Sequence, residues 1–161
     1  MTHSTDFSQN NAIGVRVKYL HTAWEGQELE TATSGSAGVD LRACIDQETL
    51  TIEPGDRAPI PAGLAIEITA PGFAGFIFSR SGLGAKDGLT VSQGVGVIDP
   101  DYRGEIIVSL LNTSKERRTI RRGQRIAQLI FLPFAAAHFT AVEELTTTER
   151  GAGGFGHTGK K

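Results

Sequence analysis

The chain has 161 residues and a formal net charge of −2. That size points to one domain, and the near-neutral balance leaves no basic footprint for nucleic acid, so no nucleic-acid partner is expected. Cys44 is the single cysteine, which excludes an intrachain disulfide and fits a reducing, cytoplasmic setting. Residues 1–11 are polar, with neither an apolar signal core nor an Arg-rich amphipathic pattern, and no apolar run approaches transmembrane length. No leader and no membrane partner are therefore expected.

Short apolar or alternating runs recur between Gly, Pro and Asp breaks. Ile13 to Leu20 alternates and predicts a strand. Cys44 follows Ala37-Gly38-Val39-Asp40-Leu41-Arg42-Ala43 and reads as a small core residue beside a strand. Thr49 to Glu53 leads into the turn Pro54-Gly55-Asp56, and Pro59 and Pro61 suit an edge or a strand end. Leu64 to Thr69 and Phe73 to Ser79 are strand-like, and Ser81 to Asp87 predicts the one short helix. Ile106 to Leu111 and Ile126 to Leu132 read as buried strands, and Phe139 to Leu145 as a further candidate. The basic cluster Lys115, Arg117, Arg118, Arg121 and Arg122 reads as a solvated hairpin. Many short strands at this spacing predict an all-β fold, a distorted jelly roll or sandwich-like barrel. Composition divides the chain into a flexible polar N-terminus (1–11), a β domain (12–146) and a Gly-rich C-terminal arm (147–161).

Four segments carry chemistry. Gly96-Val97-Ile98-Asp99-Pro100-Asp101-Tyr102-Arg103-Gly104-Glu105-Ile106 sets acids, a tyrosine and an arginine around an Asp-Pro-Asp turn. A carboxylate on a rigid turn can serve as a general base; the plainer alternative is a hairpin turn with solvated acids. Arg80-Ser81-Gly82-Leu83-Gly84 offers a guanidinium fork, a hydroxyl and backbone donors to phosphate oxygens, or else a Gly-rich turn opening a helix. Gln128 places an amide inside an apolar strand, as a ligand or as a core amide bonded to backbone. The tail Arg150 to Lys160 holds five glycines around the lone aromatic Phe155. Such composition usually marks a disordered end, but a ring between glycines suits an arm that closes by stacking.

Other matches fail. Gly154 to Lys160 fits G-x-x-x-x-G-K, but Lys161 follows it where a P-loop has Ser or Thr. His3, His21, His138 and His157 lack metal-ligand spacing, and nothing marks a histidine partner for Cys44.

Together the segments resemble the trimeric deoxyuridine triphosphatase (dUTP diphosphatase) family, whose motifs match in order. They are Ala37 to Ala43, Arg80 to Gly84, Gly96 to Gly104, Gly123-Gln124-Arg125-Ile126-Ala127-Gln128-Leu129, and Arg150 to Gly159. The resemblance implies hydrolysis of dUTP to dUMP and pyrophosphate by a homotrimer with shared active sites, each arm reaching a neighbour's site. By that resemblance Asp99 is the catalytic carboxylate that activates water at the α-phosphorus. Tyr102 lies beneath the deoxyribose and leaves no room for a 2′-hydroxyl. A hairpin over Gln93 to Asp99 pairs its backbone near Val97 and Ile98 with uracil, and Ile107 adds backbone contact. Gln93 departs from the Asn most common in the family. Arg80, Ser81, Gly82 and Gln128 match phosphate contacts. Arg150 and Thr158 match the arm's γ-phosphate contacts, with Gly156 beside them, and Phe155 matches the ring stacked on uracil. Mg2+ is implied, held mainly by the phosphates, with Asp40 reaching it through water. Asp40 could equally be a structural acid paired with Arg42 or another base. Two other classes stay open: a dCTP deaminase, which shares the fold but needs an acid/base Glu for the ring, and a non-catalytic nucleotide-binding module.

Overall fold

The computed structural model describes residues 12–154. Its strands are β1 Val15–Tyr19, β2 Val39–Arg42, β3 Thr49–Ile52, β4 Arg57–Pro61, β5 Leu64–Ile68, β6 Phe73–Ser79, β7 Leu89–Val91, β8 Gly96–Ile98, β9 Ile107–Asn112, β10 Arg118–Arg121 and β11 Arg125–Pro133. They pair antiparallel in four small sheets, ordered β1-β5, β10-β3, β4-β9-β7 and β2-β11-β6-β8. The inner faces close on one apolar core, with Leu41, Ile60, Leu64, Leu110, Ile120 and Ile126 fully buried. This is the jelly-roll class expected.

Sequence pattern accounts for most of these elements. In β1, Val15 and Val17 turn inward and Arg16 and Lys18 outward, as alternation requires. β5 departs from it at one position: Leu64, Ile66 and Ile68 are buried on the inner face, and the small Ala65 is buried too, on the face where Glu67 stays partly exposed. Pro59 and Pro61 lie in β4 at the edge of its sheet, where a missing N–H costs no ladder bond. The short helix spans Leu83–Asp87 with π-helical winding, and Gly88 closes it by donating its N–H to the Leu83 carbonyl. A 3₁₀ turn at Thr22–Trp24 was not foreseen; the His21 ring accepts from the Ala23 N–H at 2.9 Å and caps it.

One predicted strand does not form. Phe139 to Leu145 runs without partners, with Phe139 90% exposed and Leu145 86% exposed. A strand exists by its partner, and no sheet edge within the chain receives this run. Residues 1–11 lie outside the described residues, as does the arm beyond Gly154. No helix among the described residues is long and apolar enough to cross a membrane.

Asn112 is a fully buried polar side chain that ties three segments together. Its amide donates to the carbonyls of Ile52 at 2.9 Å and Glu116 at 2.8 Å, and its Oδ1 accepts from Ser114. Asn112→Ala strands two carbonyls and should cost about 1–3 kcal/mol in denaturant unfolding. Cys44 is buried, and burial, helped by the Glu105 charge, pushes its thiol from 9.0 up to about 11. Raising an acid's pKa in the fold favours the neutral thiol, so this contribution to stability is complete below pH 9 and is lost as pH climbs toward 11. At pH 8 the native thiol should react with a disulfide reagent at least roughly a hundredfold more slowly than the unfolded chain.

Candidate active site

The sheet β2-β11-β6-β8 gathers four of the five motif segments side by side. Asp40 lies on β2, Gln128 on β11, Arg80 just beyond β6, and Val97 and Ile98 on β8. Gln128 stands opposite Asp40 in the β2–β11 ladder and opposite Phe78 in the β11–β6 ladder. The register slips between Arg125 and Ala127, where β11 spends one residue more than β2. That bulge matters for the site. Arg125 and Gln128 are three apart and would face opposite ways on a regular strand. With the extra residue both lie outward, while Ile126, Ala127 and Leu129 stay in the core.

Asp40 then meets two guanidinium groups. Its Oδ2 accepts from Arg125 Nη1 at 3.0 Å, and its Oδ1 lies 2.9 Å from Arg80 Nε. Arg80 Nη1 also donates to the Arg125 carbonyl at 3.3 Å. The Asp40 side chain is only 14% exposed, so the pair is weakly screened. Two cations sharing one carboxylate leave an excess positive charge, suited to an anion. The partners of Asp40 are Arg80 and Arg125 and not Arg42, whose Nη1 donates to the Gly123 carbonyl and whose guanidinium lies over the Trp24 ring. Ser81 and Gly82 follow Arg80 at the exposed start of the helix, with the hydroxyl and backbone open to solvent. A cavity of about 690 Å3 borders this cluster, walled by Tyr19, Trp24, Glu30, Arg42 and Arg125.

The Asp99 segment lies elsewhere. Ile98 pairs with Gly75, so Asp99 leaves the sheet at the far end of β6 from Arg80. The run from Gly75 to Arg80 covers about 17 Å at about 3.4 Å per residue. Asp99 is exposed at the turn, its carbonyl accepting the Tyr102 N–H at 3.1 Å. Arg103 braces the turn through the Pro100 carbonyl at 2.7 Å and Glu67 at 3.7 Å. Val97, Tyr102 and Ile107 are exposed around it, forming an apolar rim. The expected hairpin over Gln93 to Asp99 is absent in that form. Ser92 and Gln93 make a turn, and Gly96–Ile98 pairs with β6 instead of folding back on its own approach. The Gln93 amide oxygen accepts from the Ser92 hydroxyl at 3.0 Å.

Arg150 meets neither group; its Nε donates to the Gly153 carbonyl at 2.8 Å within its own turn. Phe155, Gly156 and Thr158 lie outside the described residues. Arg125 is the site residue that pattern reasoning passed over. Its spacing from Gln128 argues against a shared face, and only the bulge brings them together.

No group of three or more His, Cys, Asp or Glu among the described residues could cage a metal. Asp40 Oδ1 is buried yet accepts no aligned hydrogen bond, despite its 2.9 Å ion-pair contact with Arg80. Oδ1 has no exposed surface to offer a water, so this single carboxylate fits Mg2+ only where a ligand's phosphates carry the ion and water reaches it from Oδ2.

Comparison with known proteins supplies the family. A family model described as dUTPase matches residues 25–159. A deoxyuridine 5'-triphosphate nucleotidohydrolase of Desulfitobacterium hafniense is 49% identical over 149 residues, covering 92% of this chain and 98% of the relative. That of Psychromonas ingrahamii is 53% identical over 131 residues, covering 81% of this chain and 86% of the relative. The Staphylococcus bacteriophage 80alpha dUTPase, solved with dUPNHPP, superposes with a TM-score of 0.75 at 28% identity, covering 91% of this chain and 99% of that one. The fold is a β jelly roll with an aspartate held between two arginines on its largest sheet. The chain belongs to the dUTPase family.

Asp40→Ala removes the charge that separates Arg80 from Arg125. Unfolding should show a loss of about 1.5–3 kcal/mol, the range for hydrogen bonds to charged groups. Asp40→Asn, which retains one amide oxygen, should recover part of it.

Proposed function

We propose that the chain hydrolyses dUTP to dUMP and pyrophosphate, as its family membership implies for a dUTP diphosphatase. The observation that supports this best is the Asp40–Arg80–Arg125 cluster beside Gln128, a positive, partly desolvated seat for a triphosphate. Arg80 is held through Nε and Nη1, which leaves its remaining donors for phosphate oxygens, joined by the Ser81 hydroxyl and the Gly82 backbone. Asp99 takes a proton from water as the water oxygen bonds to the α-phosphorus. The bond from that phosphorus to the bridging oxygen breaks, and pyrophosphate leaves with the electron pair. Mg2+, when bound to the phosphates, neutralises their charge and steadies the leaving pyrophosphate, with Asp40 as the residue that would hold it through water.

Asp99 and Arg80 of one chain sit roughly 17 Å apart along β6, too far to serve one α-phosphorus. We therefore assign each site to more than one subunit of a homotrimer, Asp99 and Tyr102 facing the Arg80 cluster of a neighbour. Val97, Ile98 and Ile107 offer backbone to uracil, with Gln93 near them. A cytosine edge reverses the donor pattern and leaves site groups unpaired. Tyr102 excludes a 2′-hydroxyl. The arm closes over the nucleotide through Arg150, Phe155, Gly156 and Thr158, and so affects turnover as well as binding. The activity supplies dUMP for thymidylate synthesis and keeps uracil out of DNA, in a cytoplasmic setting.

Pyrophosphate release should be fast with dUTP, slow with dCTP, dTTP and UTP, and lost on chelation of divalent ions. Ammonia release from dCTP would instead identify a deaminase. Asp99→Asn should lower kcat by about 10²–10⁴-fold while nucleotide still binds. Asp99→Asn and Arg80→Ala chains, each inactive alone, should regain measurable activity when refolded together; continued silence would count against shared sites.

A further inference from the structure

The Tyr102 ring is fixed from below by two neighbours to which no role has been given. Its hydroxyl donates to the Glu105 carbonyl at 2.9 Å. Its ring lies across Gly104 so closely that a Cβ there would run into the phenol oxygen and ring carbons. Gly104 has no positive φ, so its backbone would accept any residue; only the ring demands glycine. With one side against its own backbone, the ring remains 43% exposed and offers its other side outward.

Glu105 is itself tied down. Its Oε1 accepts the Gly63 N–H at 2.9 Å. The adjoining backbone is sewn to the same β4–β5 turn, Ala62 donating to the Ile106 carbonyl at 2.8 Å and Ile106 to that of Leu64 at 2.9 Å. Gly63 is held in turn by its carbonyl, which accepts the Leu20 N–H at 2.7 Å. It sits at φ +66, and a Cβ there would lie 2.7 Å from Cys44 Cβ and 2.8 Å from His21 Cβ. A rigid path thus leads from the buried Cys44 wall through Gly63 and Glu105 to the phenol.

We infer that Glu105 and Gly104 are positioning residues for sugar discrimination: Glu105 fixes the carbonyl that anchors the Tyr102 hydroxyl, and Gly104 clears the space the ring occupies. The inference rests on the reading of Tyr102 as the group that meets the deoxyribose. Bulk alone does not reject a 2′-hydroxyl if the ring can swing aside. A tethered ring holds its place, and discrimination then depends on the tether.

The test compares kcat/KM for dUTP and for UTP in the full-length protein. Tyr102→Phe keeps the ring and loses the tether, Gly104→Ala displaces the ring without straining the backbone, and Glu105→Ala frees the carbonyl. Each should lower the dUTP-over-UTP ratio roughly tenfold or more, chiefly through faster UTP turnover. Glu105→Gln keeps an acceptor for Gly63 and should restore the parent ratio, which loss of general stability would not do. Melting temperatures accompany each variant, and if Glu105→Ala does not fold, Tyr102→Phe and Gly104→Ala decide. Unchanged ratios in those two would overturn the inference. Tyr102→Ala separates the readings: a collapsed ratio there with unchanged ratios in the other variants removes only the tether, whereas an unchanged ratio in Tyr102→Ala removes the sugar contact itself.

Discussion

One carboxylate between two guanidinium groups organises this molecule. Asp40 reaches from β2 past β11 to the end of β6, and Arg80 and Arg125 both turn toward it. Without it, two like charges would face each other beside a half-buried sheet and move apart. With it, Arg80 is held at a fixed angle and enough positive charge remains to attract a polyanion. The cluster thus serves the fold and the chemistry together. The strand β11 carries both Arg125 and Gln128, so its position between β2 and β6 is what brings them beside Asp40 and Arg80.

The bulge in β11 is the local irregularity that makes this possible. Ile126, Ala127 and Leu129 fill the core, and a perfectly alternating strand could not bury all three while turning Arg125 and Gln128 to the same outer face. The cost is one unpaired position in the ladder, at the place where the sheet meets its site, as bulges often do.

Much of the fold was legible because apolar runs and turn residues are local signals. Phe73–Ser79 matches its predicted range, and the edge position of Pro59 and Pro61 follows from a missing donor. The positions of Asp99, Arg80 and Gln128 in their motifs were equally plain. What escaped was relational. Asp40 chose Arg80 and Arg125 over its sequence neighbour Arg42, because alternate register and a bulge, rather than proximity in the chain, decide who meets whom. The segment Phe139 to Leu145 has the composition of a strand without the partner that would make it one. The hairpin over Gln93 to Asp99 was carried over from the family resemblance, yet β6 is the strand that captures Gly96–Ile98.

β6 also works as a spacer. It holds the Asp99 turn at one end and the Asp40–Arg80–Arg125 cluster at the other, so under the proposed division of each site between subunits a single folded chain would be chemically silent however well it is packed. Output would then scale more steeply than protein amount when chains are scarce, since each added copy would complete sites as well as add them. On the same proposal a defective copy would do the reverse, spoiling sites that it shares with sound neighbours, so that a minority of such chains would depress the whole population beyond its own share.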